Sequence, residues 1–319
     1  MLNMVNVVIV GTAAFDDIET PFGKKEFVLG GSAVYASLAA SFFSKPGIVA
    51  IVGDDFPKQH EEFLKKKNIC LKGLVKKGKT FHWSGKYEYD MNEAKTLKTD
   101  LNCLLEFNPI LPEEYRKAKF LFLGNLDPEL QIKVLEQMET PLLTVMDTMN
   151  FWITGKKEKL LEAISKIDVL VLNDGEARQL FETANLCAAA KKALNLGPKA
   201  VIIKKGEHGA LLFSKDGNNL HFNAPGYPLE VIKDPTGCGD SFGGAFIGYL
   251  AGKGYANDLA DNHAAKEKLF GDRSIRHAMI YGSVIASLNA EGFGTEKIAN
   301  LTRKEIEDRY EEFRKMREF

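Results

Sequence analysis

The sequence predicts an α/β protein in which a mostly parallel sheet lies between two layers of helices, a three-layer α/β/α core. Three observations predict it. Short apolar runs rich in Val, Ile, Leu and Phe recur along the 319 residues, segments of helical length and pattern separate most of them, and 45% of the residues are hydrophobic. Unbroken apolar runs are what strands covered on both faces need, and their alternation with helices marks parallel crossovers. A chain of this length can bury one sizeable core.

In chain order, Val5–Val10 reads as the first buried strand. Ser32–Phe43, rich in Ala, follows as a helix, then Ile48–Val52 as a strand and Phe56–Lys67 as a helix. Further strands fall at Phe120–Leu123, Leu142–Val145, Val169–Leu172, Val201–Ile203 and Ala210–Phe213. The helical segments between them are Glu129–Met138, Lys157–Lys166, Glu176–Thr183 and Ala188–Leu196. Asp127-Pro128 opens one helix, Leu196-Gly197-Pro198 closes another, and Thr302 with Glu305 makes a capping box for the charged last helix.

Asp16 to Phe27 and roughly Leu71 to Phe107 break this rhythm. Thr, Phe, Trp and Tyr mix there with charges, as in Thr80-Phe81-His82-Trp83-Ser84-Gly85-Lys86-Tyr87. These regions are assigned to a small β-rich lid over about 12–29 and 71–107. With no repeat, low-complexity tract or linker, residues 1–319 are expected to form one domain carrying that lid.

Lys plus Arg number 42 and Asp plus Glu 43. That balance offers no basic field to hold nucleic acid or an anionic membrane, so a small-molecule partner is expected. The longest mostly apolar stretch, Ala33–Phe43, falls far short of the ~20 residues that span a bilayer. Cys70, Cys103, Cys187 and Cys238 form no CxxC pair, and nothing like a signal peptide precedes Val5. A cytoplasmic location is expected. The sequence contains neither a Gly-x-x-x-x-Gly-Lys-Ser/Thr P-loop nor a Gly-x-Gly-x-x-Gly fingerprint, and its histidines form no zinc-ligand pattern.

The chemistry concentrates in Asp234-Pro235-Thr236-Gly237-Cys238-Gly239-Asp240-Ser241-Phe242-Gly243-Gly244, ahead of the helix-compatible run Ala245–Ala251. A Gly-x-Gly turn that opens a helix presents unpaired N–H groups at the positive end of the helix dipole, which is an anion site. Asp240, at the helix start, is placed to take a proton from an attacking hydroxyl. On the residues alone, a closely packed glycine turn capped by an aspartate accounts for the segment equally well.

The pattern Asp-x-Thr-Gly-x-Gly-Asp-Ser-Phe closely resembles the C-terminal signature of the ribokinase-like, or PfkB, carbohydrate kinases. The resemblance implies a ribokinase-like fold and ATP-dependent phosphoryl transfer to a hydroxyl of a small sugar or sugar-like substrate. It further implies an anion hole from the amides of Gly237, Cys238 and Gly239, with Asp240 as general base and Asp234 and Thr236 on the ATP side. Cys238 stands where the family usually has alanine, a change that a backbone donor tolerates.

Other matches follow in family order. Gly11-Thr12-Ala13-Ala14-Phe15-Asp16 resembles the first strand, which ends on a substrate-binding aspartate, here Asp16. Gly30-Gly31-Ser32-Ala33 is similar to the diglycine turn where bare backbone meets the substrate, implicating Gly30, Gly31 and Ser32. Tyr35 stands near a position where many members carry Asn. Asn173-Asp174-Gly175-Glu176 matches the Asn-x-x-Glu motif that arranges Mg2+, waters and nucleotide phosphates. This makes Asn173 and Glu176 ATP-binding residues, and Glu176 a Mg2+ residue acting through water. By spacing alone, the same pair is a helix cap. Ile202–Ala210 resembles the nucleotide-binding β-turn-β segment, which brings in Lys204 and Gly206. Ile280–Ser283 and Asn289–Gly292 fall where the family closes its adenine pocket and where many members hold a monovalent cation, K+ being the candidate.

Trp83 and Tyr87 alternate with Ser84 and Lys86 as on a half-exposed strand. They shield the substrate, meet the lid of a second copy in a homodimer, or simply pack the sheet. Asn125 and Asp147–Trp152 lie at strand C-terminal ends, the rim where open α/β sheets bind ligands. A nucleoside or vitamin-precursor kinase of the same fold is the alternative, since lid aromatics can stack on a base. A ligand sensor without catalysis is a third reading, opposed by the presence of Asp240, Asn173 and Glu176.

Overall fold

The computed structural model describes residues 5–215, 221–254, 262–270 and 272–316. The chain opens with β1 (Val7–Val10), β2 (Ala14–Thr20), β3 (Gly23–Gly30), α1 (Ser32–Ser41), β4 (Pro46–Val52), α2 (Lys58–Lys66), β5 (Cys70–Lys76), β6 (Phe81–Tyr87) and β7 (Ala94–Asp100). After α3 (Glu113–Arg116) come β8 (Phe120–Leu123), α4 (Pro128–Leu135), β9 (Leu143–Met146), α5 (Asn150–Gly155), α6 (Lys157–Ile164), β10 (Val169–Asn173), α7 (Asp174–Phe181) and α8 (Leu186–Leu196). The strands β11 (Ala200–Lys204), β12 (Ala210–Ser214) and β13 (His221–Ala224) lead into a helical end. It comprises α9 (Cys238–Gly252), α10 (Asn262–Phe270), α11 (Asp272–Asn289), α12 (Glu296–Asn300) and α13 (Arg303–Lys315).

Nine strands form the large sheet in the order β13-β12-β11-β10-β9-β8-β1-β4-β5. Neighbours run parallel except at the β11–β12 and β12–β13 pairs, which are antiparallel. Connection length explains the exception at β11–β12: the short turn Lys205–Gly209 sends the chain straight back, whereas parallel neighbours need a long crossover. Alternate strand residues separate into two cores. Ile9, Ile48, Phe122 and Val171 pack with residues of α1, α9 and α11, and Val8, Val49, Leu121 and Leu170 with residues of α4, α6, α7 and α8. Each such side chain contributes roughly 1.5–3 kcal/mol on burial. This is the three-layer arrangement expected from the apolar runs.

A second sheet, ordered β3-β2-β6-β7, stands apart. The boundary expected near residue 71 moves, because β5 pairs in parallel with β4 at the edge of the large sheet and the small sheet resumes only at Phe81. Gly73 permits this: a Cβ there would fall 2.6 Å from the Ile48 carbonyl oxygen.

α1 and α9 run side by side in the same direction. Gly244, Gly248 and Gly252 of α9 meet Ala36, Ala40 and Phe43 at distances that exclude a Cβ. The Gly30-Gly31 turn before α1 and the Gly237 turn before α9 therefore lie at the same end of the core.

Candidate active site

α9 starts where Gly237 takes φ 72°, a left-handed conformation that glycine adopts without strain. A Cβ at this position would meet atoms of the Tyr35 ring at 2.4 Å. Asp234, fully buried, anchors the approach: it accepts from Thr236 N at 2.8 Å and from Gly294 N at 2.7 Å. From α11, Asn289 Nδ2 donates to the Thr236 carbonyl at 3.0 Å, while the Cys238 thiol donates to the Ala286 carbonyl at 3.3 Å. Burial pushes that thiol up to about 12, so it stays protonated. Cys238 gives its amide to the Pro235 carbonyl at 3.1 Å. Of the three amides expected to face an anion, those of Gly237 and Gly239 are left for that role.

In the first turn of α9, Asp240 joins Asp147, Glu176 and Lys204. Lys204 Nζ lies 2.7 Å from Asp147 Oδ2 and packs over Gly239, where a Cβ would stand 2.9 Å from it. Burial, then the Asp147 charge, lifts Asp240 to about 7 against the pull of Lys204. The same two causes lift Glu176 to about 7. Burial disfavours the Lys204 ammonium, yet Asp147, Glu176 and Asp240 together hold its proton more tightly than usual. Three carboxylates around one ammonium leave surplus negative charge, which fits a divalent cation. Among the described residues no three His, Cys, Asp or Glu side chains converge closely enough to hold a bare ion. The fit is to Mg2+ that arrives with its own phosphate ligands and waters.

Asn173 and Glu176 do form the reciprocal cap of α7, Glu176 N to Asn173 Oδ1 and Asn173 N to Glu176 Oε2, both at 2.7 Å. The cap and the electrostatic link to Lys204 coexist in one side chain. Gly206 sits exposed in the β11–β12 turn beneath Asn92 of the β6–β7 turn, whose Oδ1 would be 2.8 Å from a Cβ there.

Asp16, on β2, is 4% exposed. Its carboxylate lies on Gly30, where a Cβ would fall 1.9 Å from Oδ2, and Gly31 takes φ 96° against the Thr12 carbonyl. Thr12 and Ser32 lock this turn reciprocally: Thr12 N donates to Ser32 Oγ at 3.0 Å and Ser32 N to Thr12 Oγ1 at 2.9 Å. Burial first, then the charges of Asp234 and Asp240, raise Asp16 to about 8. Asp16 thus lies close enough to Asp240 to feel its charge.

Two contacts carried no local sequence signal. Tyr87, expected to be half-exposed, is 7% exposed, and its oxygen accepts from Thr236 Oγ1 at 3.3 Å, tying the small sheet to the α9 turn. Asn289 closes the same turn from α11. On the rim, Asn125 is held by Met149 Sδ at 2.9 Å and Trp152 Nε1 at 2.8 Å.

Three carbonyls around the α9 turn and the end of α11 accept hydrogen bonds from the protein. The Ala290 carbonyl accepts from Lys233 N at 2.8 Å, that of Ala286 from the Cys238 thiol, and that of Thr236 from Asn289.

A profile of the pfkB family of carbohydrate kinases matches residues 8–301. A cytidine kinase from Thermococcus kodakarensis is 31% identical over 255 residues, 78% of this chain and 90% of that protein. Among solved structures, the nucleoside kinase of Methanocaldococcus jannaschii, an archaeal member of the ribokinase family, superimposes with a TM-score of 0.71. Its identity is 20%, and the match covers 97% of this chain and 99% of its own. A putative ribokinase II from E. coli, in complex with ATP and Mg2+, gives 0.75 at 17% identity over 97% and 100% of the two chains. Both share the ribokinase-like fold expected from the motifs. No helix among the described residues is long and apolar enough to cross a membrane. The family match runs through both the Asp16 strand and the Asp240 helix, and the chain belongs to the pfkB family of carbohydrate kinases, phosphotransferases with hydroxyl acceptors.

Proposed function

We propose that this chain is a nucleoside kinase that transfers the γ-phosphoryl of MgATP to a hydroxyl of a nucleoside, cytidine first among them, with Asp240 as general base. The observation that carries the reading is Asp240 itself: a carboxylate poised near 7 in the first turn of α9, with Asp16 close enough to feel its charge. The acceptor class rests on the 31% identity to the Thermococcus kodakarensis cytidine kinase across 90% of its length. A sugar acceptor is the second reading, favoured by the hydroxyl-binding role of Asp16 that the family motif implies.

In this reading Asp16, with the bare backbone of Gly30 and Gly31, orients the acceptor through its hydroxyls. Asp240 takes the proton of the attacking hydroxyl onto its carboxylate. Asn173, Lys204, Gly206 and Thr236 hold the nucleotide, Asp234 fixes the turn beneath it, and Glu176 reaches Mg2+ through water. MgATP supplies the phosphoryl group. The amides of Gly237 and Gly239, at the positive end of α9, steady the charge that develops during transfer. Tyr87 and the small sheet close over the acceptor and exclude water. The homodimer expected through the small sheet belongs to the same reading, supported by Phe27 and Leu97, 62% and 60% exposed.

The test is ADP release from MgATP across pyrimidine and purine nucleosides, ribose and hexoses, with Asp240→Asn in parallel. Turnover on cytidine that disappears in the variant supports the reading. Turnover confined to free sugars replaces the acceptor class, and full turnover by the variant removes Asp240 as base.

A further inference from the structure

β2 and β6 pair in parallel with Asp16 opposite Trp83. The two side chains therefore leave the sheet on one face, from backbones separated by the strand spacing of about 4.8 Å. That face is the inner one, since Trp83 packs with Ile18, Tyr87 and Phe293, and Tyr87 reaches Thr236 at the α9 turn. The indole lies across its own strand over Gly85, where a Cβ would fall 2.1 Å from Cη2 and 2.3 Å from Cζ2. Its Nε1 donates to Thr96 Oγ1 on β7 at 3.3 Å. A ring with a cleared floor and a tethered edge holds one plane, and Trp83 is only half-buried, so part of that ring stays open.

Resting on the nucleoside reading, we propose that Trp83 selects nucleosides over free sugars: the acceptor's base stacks on the indole while Asp16 holds the ribose hydroxyls. The two side chains start on paired strands and the indole extends from there away from Asp16, over Gly85 toward β7, so a ligand that reaches from the carboxylate to the ring must carry a base beyond its ribose. Stacking reads the presence of a planar base rather than its identity, because every base has a π-face.

The experiment compares wild type, Trp83→Leu, Trp83→Phe and Gly85→Ala for KM and kcat with cytidine, ribose and MgATP, ribose being read as substrate or as competitive inhibitor. Trp83→Leu is expected to raise the cytidine KM about tenfold or more, with the constants for ribose and MgATP unchanged. Trp83→Phe recovers most of the loss, and Gly85→Ala reproduces it by forcing the ring out of its plane. The chain has two tryptophans, so in a Trp152→Phe background cytidine quenches the emission of Trp83 and ribose does not. An unchanged cytidine KM in Trp83→Leu, or an equal rise for ribose or MgATP, overturns the role of Trp83 and leaves the nucleoside reading standing. Absence of wild-type turnover on every nucleoside overturns that reading and the role of Trp83 with it.

Discussion

Lys204 and Asp147, 57 residues apart in sequence, meet at 2.7 Å beside Asp240 and set its proton affinity from opposite sides. Asp147 raises the Asp240 pKa and Lys204 lowers it. Asp147→Asn deletes the raising charge and keeps the ammonium, so the ascending limb of the kcat/KM profile shifts to lower pH. A limb that stays in place under this substitution separates Asp147 from the base.

On the proposed role of Asp240 as base, wild-type kcat/KM for the acceptor is expected to rise with pH through about 7, as Asp240 loses its proton. Asp240→Asn flattens the limb and lowers kcat by roughly 10²–10⁴-fold, the usual contribution of a positioned base. Calorimetric titration with MgATP shows binding retained. Loss of nucleotide binding in parallel with turnover assigns Asp240 to the nucleotide instead.

Asp16 titrates near 8 in the fold against a usual 3.8. The folded state binds this proton more tightly than the unfolded chain, so the contribution of Asp16 to stability declines as pH climbs from about 4 to about 8. Asp16→Asn removes the decline. Its melting temperature exceeds that of the wild type by a few degrees above pH 8 and converges with it near pH 4, while the acceptor KM rises. Calorimetric scans at both pH values check this, and a gap independent of pH contradicts it.

Glu176→Gln retains an oxygen that can accept from Asn173 N, so the cap of α7 and the melting temperature persist. The Mg2+ concentration for half-maximal rate rises several-fold. A fall in melting temperature with no change in Mg2+ dependence makes Glu176 a helix cap and nothing more.

The central strands were legible because burial on both faces leaves an unbroken apolar run; Phe120–Leu123 has the same limits in sequence and structure. β13 gave no such signal, since His221 and Asn223 face outward from an edge. Lys72, Gly73 and Lys76 hid β5 in the same way, and it was read as part of the lid. Asp16 and Asp240 were visible through local motifs. The links Lys204–Asp147, Thr236–Tyr87 and Asn289–Thr236 were not, because each joins segments that only tertiary packing brings together.

The floor under Asp16 leaves no room for another residue at Gly30, while the β7 stretch 95–99 on the small sheet is exposed. Substitutions that alter the acceptor are expected to be tolerated along β6 and β7 and not at the diglycine. A mutational library over residues 81–100 yields altered substrate range, whereas one over residues 30–31 yields inactive protein.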